Sequence, residues 1–301
     1  MARREKLPSS DYFSSPLHPP PFREGGRGVG LVAALLFLLL LGCARGTGVS
    51  PVSAPPPAPT PVAAPAPAPA SPPGPAAVKP IIFSRLQTDQ PLVALTFDCC
   101  QTAKPAGFDR PLVDVLLAHH TPATFMLGGR WMETHPEATR LLAATPYFEL
   151  GNHSYLHPHM AQLDAAHQGP ELTRPQEIMH QQVARYALFF RPPYGEWNQS
   201  LVDQSAAAGM YTVMWTISTG DPDRHATVAD LLGEFHKVKP GAIVLMHANG
   251  RGWKTAQALP QMLDYLRAKH LRPVTLHDLW QSGTPVPATE GKSQNPPPQN
   301  L

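Results

Sequence analysis

Between Leu92 and Leu276 short apolar runs rich in β-branched and aromatic residues alternate with longer amphipathic stretches, and this limits the folds open to the chain more than any other feature. Leu92–Phe97, Ala123–Leu127, Phe148–Leu150, Phe189–Phe190, Tyr211–Ile217, Ala242–Met246 and Pro273–Leu276 read as strands. The segments between them read as helices. Asp109 precedes Arg110-Pro111 as an N-cap with proline in the first turn, which opens a helix to about His119. Pro136–Ala144 is the next helix. Thr173 with Gln176 resembles a capping box, which starts one running to about Leu188. Gln199–Ala208, Val228–Phe235 and Thr255–Lys269 follow. Strands alternating with helices predict a parallel sheet with helices outside it, an α/β fold. So many repeated units favour a closed or nearly closed β/α barrel over an open sheet.

The flanks behave differently. From Pro51 to Pro80, 13 of 30 residues are proline and most of the rest are alanine. Such a stretch buries too little apolar surface to offset its ordering entropy, so residues 44–80 are expected to form an extended spacer. Residues 284–301 are polar and proline-rich and are expected to be a loose tail. Leu31–Leu41 is continuously apolar, follows Arg23 and Arg27, and ends in Gly42-Cys43. At 11 residues it falls short of the ~20 needed to span a bilayer but suits a signal peptide. Its end resembles a bacterial lipobox, which predicts cleavage before Cys43 and lipidation of that cysteine. The alternative is a plain secretory signal. The stretch before the apolar run is long and carries Glu5, Asp11 and Glu24, which leaves open a start codon later than Met1. The expected place is the bacterial cell envelope, on a membrane and facing the periplasm or exterior. Net charge is only +2, with no basic run interleaved with aromatics, so nucleic acid is not an expected partner. A monomer is expected.

Within the folded part, Asp98, His153, Arg191, Ser218 to Asp221 and His247 each fall just past the C-terminal end of a strand. In a β/α barrel that rim is where active sites are built. Each residue alone has a bland reading. His153 and His157 are four apart, and on a helical turn they would share a face within reach of one cation. With 14 histidines in the chain, such a pair also arises by chance. Asp98 ends an apolar strand, where a carboxylate is costly unless paired or near a metal; it could also cap the next turn. Arg191 could orient a catalytic carboxylate or only brace the rim. His247 could be structural, and Asp221 could orient it or merely belong to the turn Gly220-Asp221-Pro222. His119, His120, His135, His159, His167 and His180 are expected on solvated helix surfaces.

Taken in order, these residues resemble the polysaccharide deacetylase family, built on the NodB homology domain and akin to carbohydrate esterase family 4. Thr96-Phe97-Asp98 matches its first motif, His153-Ser154-Tyr155-Leu156-His157-Pro158 its second, Arg191-Pro192-Pro193-Tyr194 its third and Leu245-Met246-His247 its fifth. Ala123–Gly128 is similar to the family's second strand. The resemblance implies a distorted (β/α)7 barrel over residues 81–283 and one divalent cation, usually Zn²⁺, with Co²⁺ or Ni²⁺ as alternatives. It implies His153 and His157 as metal ligands, Asp98 as general base and His247 as general acid. Asp221 would orient His247, Arg191 would hold Asp98, the Tyr194 backbone N–H would face the oxyanion, and Leu245 and Trp215 would wall the acetyl pocket. The implied activity is removal of acetyl groups, N-linked before O-linked, from an acetylated polysaccharide.

Two positions depart from the family pattern. Asp221-Pro222 replaces an Asp-Trp pair, with Ser218 where another aspartate is common. Cys99 stands where the family places a carboxylate that is normally the third ligand. Cys99 could ligate as a thiolate. It could instead only pack, with Asp98 or water completing a two-histidine site. Or the site could be impaired, leaving a lipid-anchored glycan-binding protein with a degenerate deacetylase fold.

Overall fold

The computed structural model describes residues 74–101 and 106–289, so Cys43, the apolar run, most of the proline-rich spacer and the end of the tail lie outside the described residues. In chain order the elements are β1 (Ile82–Gln87), β2 (Leu92–Cys99), α1 (Arg110–Ala118), β3 (Ala123–Leu127), α2 (Gly129–Thr134), α3 (Pro136–Ala144) and β4 (Phe148–Asn152). Then come α4 (Ala165–Val183), β5 (Phe189–Phe190), α5 (Gln199–Ala207), β6 (Tyr211–Val213), β7 (Ile217–Ser218) and α6 (Val228–Phe235). The series ends with β8 (Ile243–His247), α7 (Thr255–Ala268), β9 (Arg272–Val274), α8 (Leu276–Gln281) and β10 (Thr284–Pro287).

The sheet runs in the order β10-β1-β6-β5-β4-β3-β2-β8-β7, with β9 also on β2. Neighbouring strands are parallel except β1 and β10, which are antiparallel. The segment from Tyr211 to Ile217, expected as one strand, is broken in two. Its first part pairs with β5 and β1; its second pairs with β8. Between them the Met214 N–H donates to the Phe83 carbonyl at 2.7 Å and the Thr216 N–H to the Ile243 carbonyl at 3.0 Å. The sheet therefore curls back toward itself as a half-barrel, the distorted form of the expected barrel.

Side chains alternate across each strand and so divide the core in two. On β2, Val93, Leu95, Phe97 and Cys99 belong to the cluster packed with the helices. Leu92 and Ala94 belong to the other cluster, with Phe83, Met126, Phe189 and Ile243. Both sets are almost fully buried. Each large apolar side chain so buried stabilises the fold by about 1.5–3 kcal/mol, which makes the strand ends a stiff base for polar groups.

Several boundaries differ from expectation. The helix predicted to start at Thr173 begins at Ala165, where the Asp164 side chain accepts from the His167 N–H, and it continues through Pro170 and Pro175 to Val183. The tail is not loose at its start, because β10 is zipped antiparallel to β1. The spacer is likewise docked near its end: the Val78 N–H donates to the Ala206 carbonyl at 2.9 Å. β1, α2 and α8 were not anticipated.

Candidate active site

The rim residues converge as expected. Asp98 and His247 are directly paired across β2 and β8, and Asn152 and Phe190, each one residue short of His153 and Arg191, are paired across β4 and β5. These strand ends open onto a cavity of about 780 Å³. Asp98, His153, His157, Tyr194, Trp215, Leu245 and His247 all line it, while Arg191 and Asp221 stand behind.

On one side, Arg191 is fully buried and its Nη1 donates to Asp98 Oδ1 at 2.7 Å. The Trp215 ring lies 5.7 Å from the guanidinium carbon. Burial would raise the Asp98 pKa, but Arg191, His153 and His247 together hold it below the ordinary carboxylate value. The other oxygen, Oδ2, lies 3.4 Å from His153 Nε2. His153 Nδ1 lies 2.8 Å from the Arg191 carbonyl. A carbonyl can only accept, so Nδ1 carries the hydrogen and Nε2 presents its lone pair to the cavity. Burial lowers the pKa of His153 and, further, that of His157, so both imidazoles are neutral and suited to ligation.

The second histidine reaches the site by a route the sequence reading did not foresee. His153 to His157 is not a helical turn. Ser154 and His157 both have left-handed backbones, with φ of 63° and 61°. The His157 N–H donates to Ser154 Oγ at 3.0 Å, and Glu171 on α4 accepts from the Tyr155 and Leu156 N–H groups at 2.9 and 2.8 Å. This tight loop brings the two imidazole centroids to 4.9 Å.

Opposite stands His247. Its Nδ1 pairs with Asp221 Oδ1 at 2.9 Å, and its own N–H donates to Asp221 Oδ2 at 2.7 Å. Thr255 Oγ1 donates to the same Oδ2 at 2.7 Å. Burial works against the imidazolium, but the Asp221 carboxylate, aided by Asp98, outweighs it and raises the His247 pKa above the ordinary histidine value. Tyr194 has φ of 58° and Gly195 has φ of 70°, so the chain turns sharply there and sets the Tyr194 ring edge-on to His157 at 4.6 Å.

Of the readings left open for Cys99, its position agrees with packing. It lies one residue past Asp98 on a strand, so it points to the opposite face, into the helix-side core, fully buried. The next residue returns to the cavity. The Cys100 sulfur and one nitrogen from each of His153 and His157 lie within 4.8 Å of one another. Strand parity could have found Cys100. Glu171, Asn249, Thr255 and Arg251, which lines the cavity, carried no such signal; His159 is exposed, as expected, and stacks on Tyr194 at 4.1 Å.

Three comparisons place this arrangement among known proteins. Residues 85–213 match the family model for polysaccharide deacetylase. The chain is 33% identical over 157 residues to a chitooligosaccharide deacetylase of Bradyrhizobium sp., which covers 52% of this chain and 69% of that protein. It is 29% identical over 181 residues to the uncharacterized protein YlxY of Bacillus subtilis, 60% of this chain but only 54% of the relative. Among solved structures it is similar to BA3943, a CE4 family pseudoenzyme from Bacillus anthracis, with a TM-score of 0.60 and 27% identity over 67% of this chain and 69% of that one. The chain belongs to the polysaccharide deacetylase family.

Proposed function

We propose that this chain is a metal-dependent hydrolase that removes acetyl groups, N-linked before O-linked, from a polysaccharide of the cell envelope. The observation that carries this reading is the gathering of a carboxylate, two imidazoles whose pKa burial lowers and a third whose pKa Asp221 raises around one cavity. His153 and His157 would hold a divalent cation, Zn²⁺ before Co²⁺ or Ni²⁺. Such an ion acts as a Lewis acid and lowers the pKa of water from about 15.7 toward ~7.

Asp98, kept ionised and aimed by Arg191, takes a proton from the attacking water. The Tyr194 backbone N–H donates to the oxyanion that develops on the acetyl carbonyl. His247, kept protonated by Asp221, gives a proton to the leaving nitrogen or oxygen. Acetylated sugar and water thereby yield acetate and the free amine or hydroxyl. Leu245 and Trp215 wall the acetyl methyl. Lipid on Cys43 would hold the domain at a membrane outside the cytoplasm, with residues 44–80 as tether.

The test is acetate release from acetylated chitin-like oligomers, peptidoglycan and acetylated exopolysaccharide. Release that stops with a chelator and returns with Zn²⁺ or Co²⁺ supports the reading. Metal binding with no acetate from any such polymer favours a glycan-binding protein with a degenerate site.

A further inference from the structure

We propose that Cys100 supplies a thiolate to this same centre, which makes it a cysteine–bis-histidine site in place of a carboxylate–bis-histidine one. The inference rests on the metal-dependent reading above and adds the third donor. Three observations carry it. First, the Cys100 sulfur is the atom that gathers with nitrogens of His153 and His157 inside 4.8 Å. Tetrahedral zinc bonds of about 2.3 Å to sulfur and 2.0–2.1 Å to nitrogen place ligand atoms roughly 3.5 Å apart, so a side-chain movement of about an ångström closes the cluster. Second, the competing donors lie outside this cluster. Asp98 gives Oδ1 to Arg191, and Cys99 is locked in the opposite core. Third, the sulfur is held in place. The Asn249 amide donates from Nδ2 to the Cys100 carbonyl at 3.0 Å and to its Sγ at 3.3 Å, and Asn249 is itself buried. One amide thus fixes both the backbone and the sulfur of the ligand, the kind of outer support that orients metal ligands.

A thiolate is softer than a carboxylate. The site should therefore prefer Zn²⁺ and Co²⁺ over hard cations such as Mg²⁺ or Mn²⁺ more strongly than a carboxylate site would. It should also show the optical signature of sulfur. The experiment is titration of metal-free full-length protein with Co²⁺, read by absorbance. Wild type and Cys99→Ser are expected to develop a near-ultraviolet thiolate-to-cobalt charge-transfer band that saturates at one equivalent, together with visible d–d bands. Cys100→Ser is expected to lose the near-ultraviolet band. Should that variant fail to fold by circular dichroism, Cys100→Asp restores an oxygen donor and is expected to bind Co²⁺ with d–d bands alone.

Cobalt bound by wild type with no charge-transfer band overturns the thiolate and leaves the deacetylase reading standing. A band that survives in Cys100→Asp, or vanishes in Cys99→Ser, also overturns it. Failure of wild type to bind Co²⁺ at all overturns both readings.

Discussion

The two sides of the cavity handle histidine in opposite ways. On the Asp98 side, His153 is buried, gives its one N–H to the Arg191 carbonyl, and shares its surroundings with a guanidinium and a second imidazole. Burial disfavours a second proton there and outweighs the pull of the Asp98 carboxylate, so the His153 pKa is lowered. On the Asp221 side, His247 also pays burial's penalty, yet it faces a carboxylate fixed by a backbone N–H and a hydroxyl. There the proton is held to higher pH. In the proposed function the same residue type at two parallel strand ends serves as a metal donor on one side and an acid on the other. The difference lies in what meets Nδ1: a carbonyl in one case, a carboxylate in the other.

The strongest way to break the contrast is Asp98→Asn. It removes the proposed base and strands the fully buried Arg191 charge. Losing one partner of a buried ion pair costs about 3–5 kcal/mol, and losing a general base costs ~10²–10⁴-fold in turnover. Urea unfolding and acetate release are both expected to fall. Unchanged stability would mean that Arg191 does not depend on Asp98. On the other side, His247→Gln should lose ~10²–10⁴-fold in kcat while equilibrium dialysis finds metal binding intact; metal lost with activity would make His247 a ligand. Asp221→Asn is subtler. His247 must be protonated to act, so kcat/KM falls as pH rises through its raised pKa. Removing the carboxylate lets burial lower that pKa, and the alkaline limb of the pH profile should move to lower pH. A limb that stays put would sever His247 from the reaction.

These roles were unequally visible in the sequence. β3, α3 and α6 coincide to the residue with the sequence reading, because proline at a first turn, a Thr227–Asp230 cap and unbroken apolar runs are local signals. Asp98, His153, Arg191 and His247 were legible as a group because each follows a strand on one rim. β1 and β10 were not, since each is defined by pairing with a partner almost 200 residues away. The His157 loop was misread as a helical turn because the N–H groups between its two left-handed residues are held by Glu171, a carboxylate on another element. Cys99 was weighed as a ligand because it aligns with the family's carboxylate, and Cys100 was not weighed; the alternation of β2 turns Cys99 into the core and, continued one residue further, turns Cys100 to the cavity.

The smallest perturbation tests whether the two sides can be moved independently. Gly195 has φ of 70°, and a Cβ built there would lie 2.7 Å from the outer edge of the Trp215 ring. Gly195→Ala therefore incurs the left-handed backbone penalty of roughly 1–2 kcal/mol and pushes Trp215, which lies over Arg191 and lines the cavity. Asp221, Thr255 and His247 lie on other elements and keep their hydrogen bonds. The expected result is a modest loss of thermal stability and a raised KM, because the pocket wall shifts, with the alkaline limb of the pH profile unmoved. Were that limb to move with Trp215, the pocket wall would add to the coupling that Asp98 already exerts on His247 across β2 and β8.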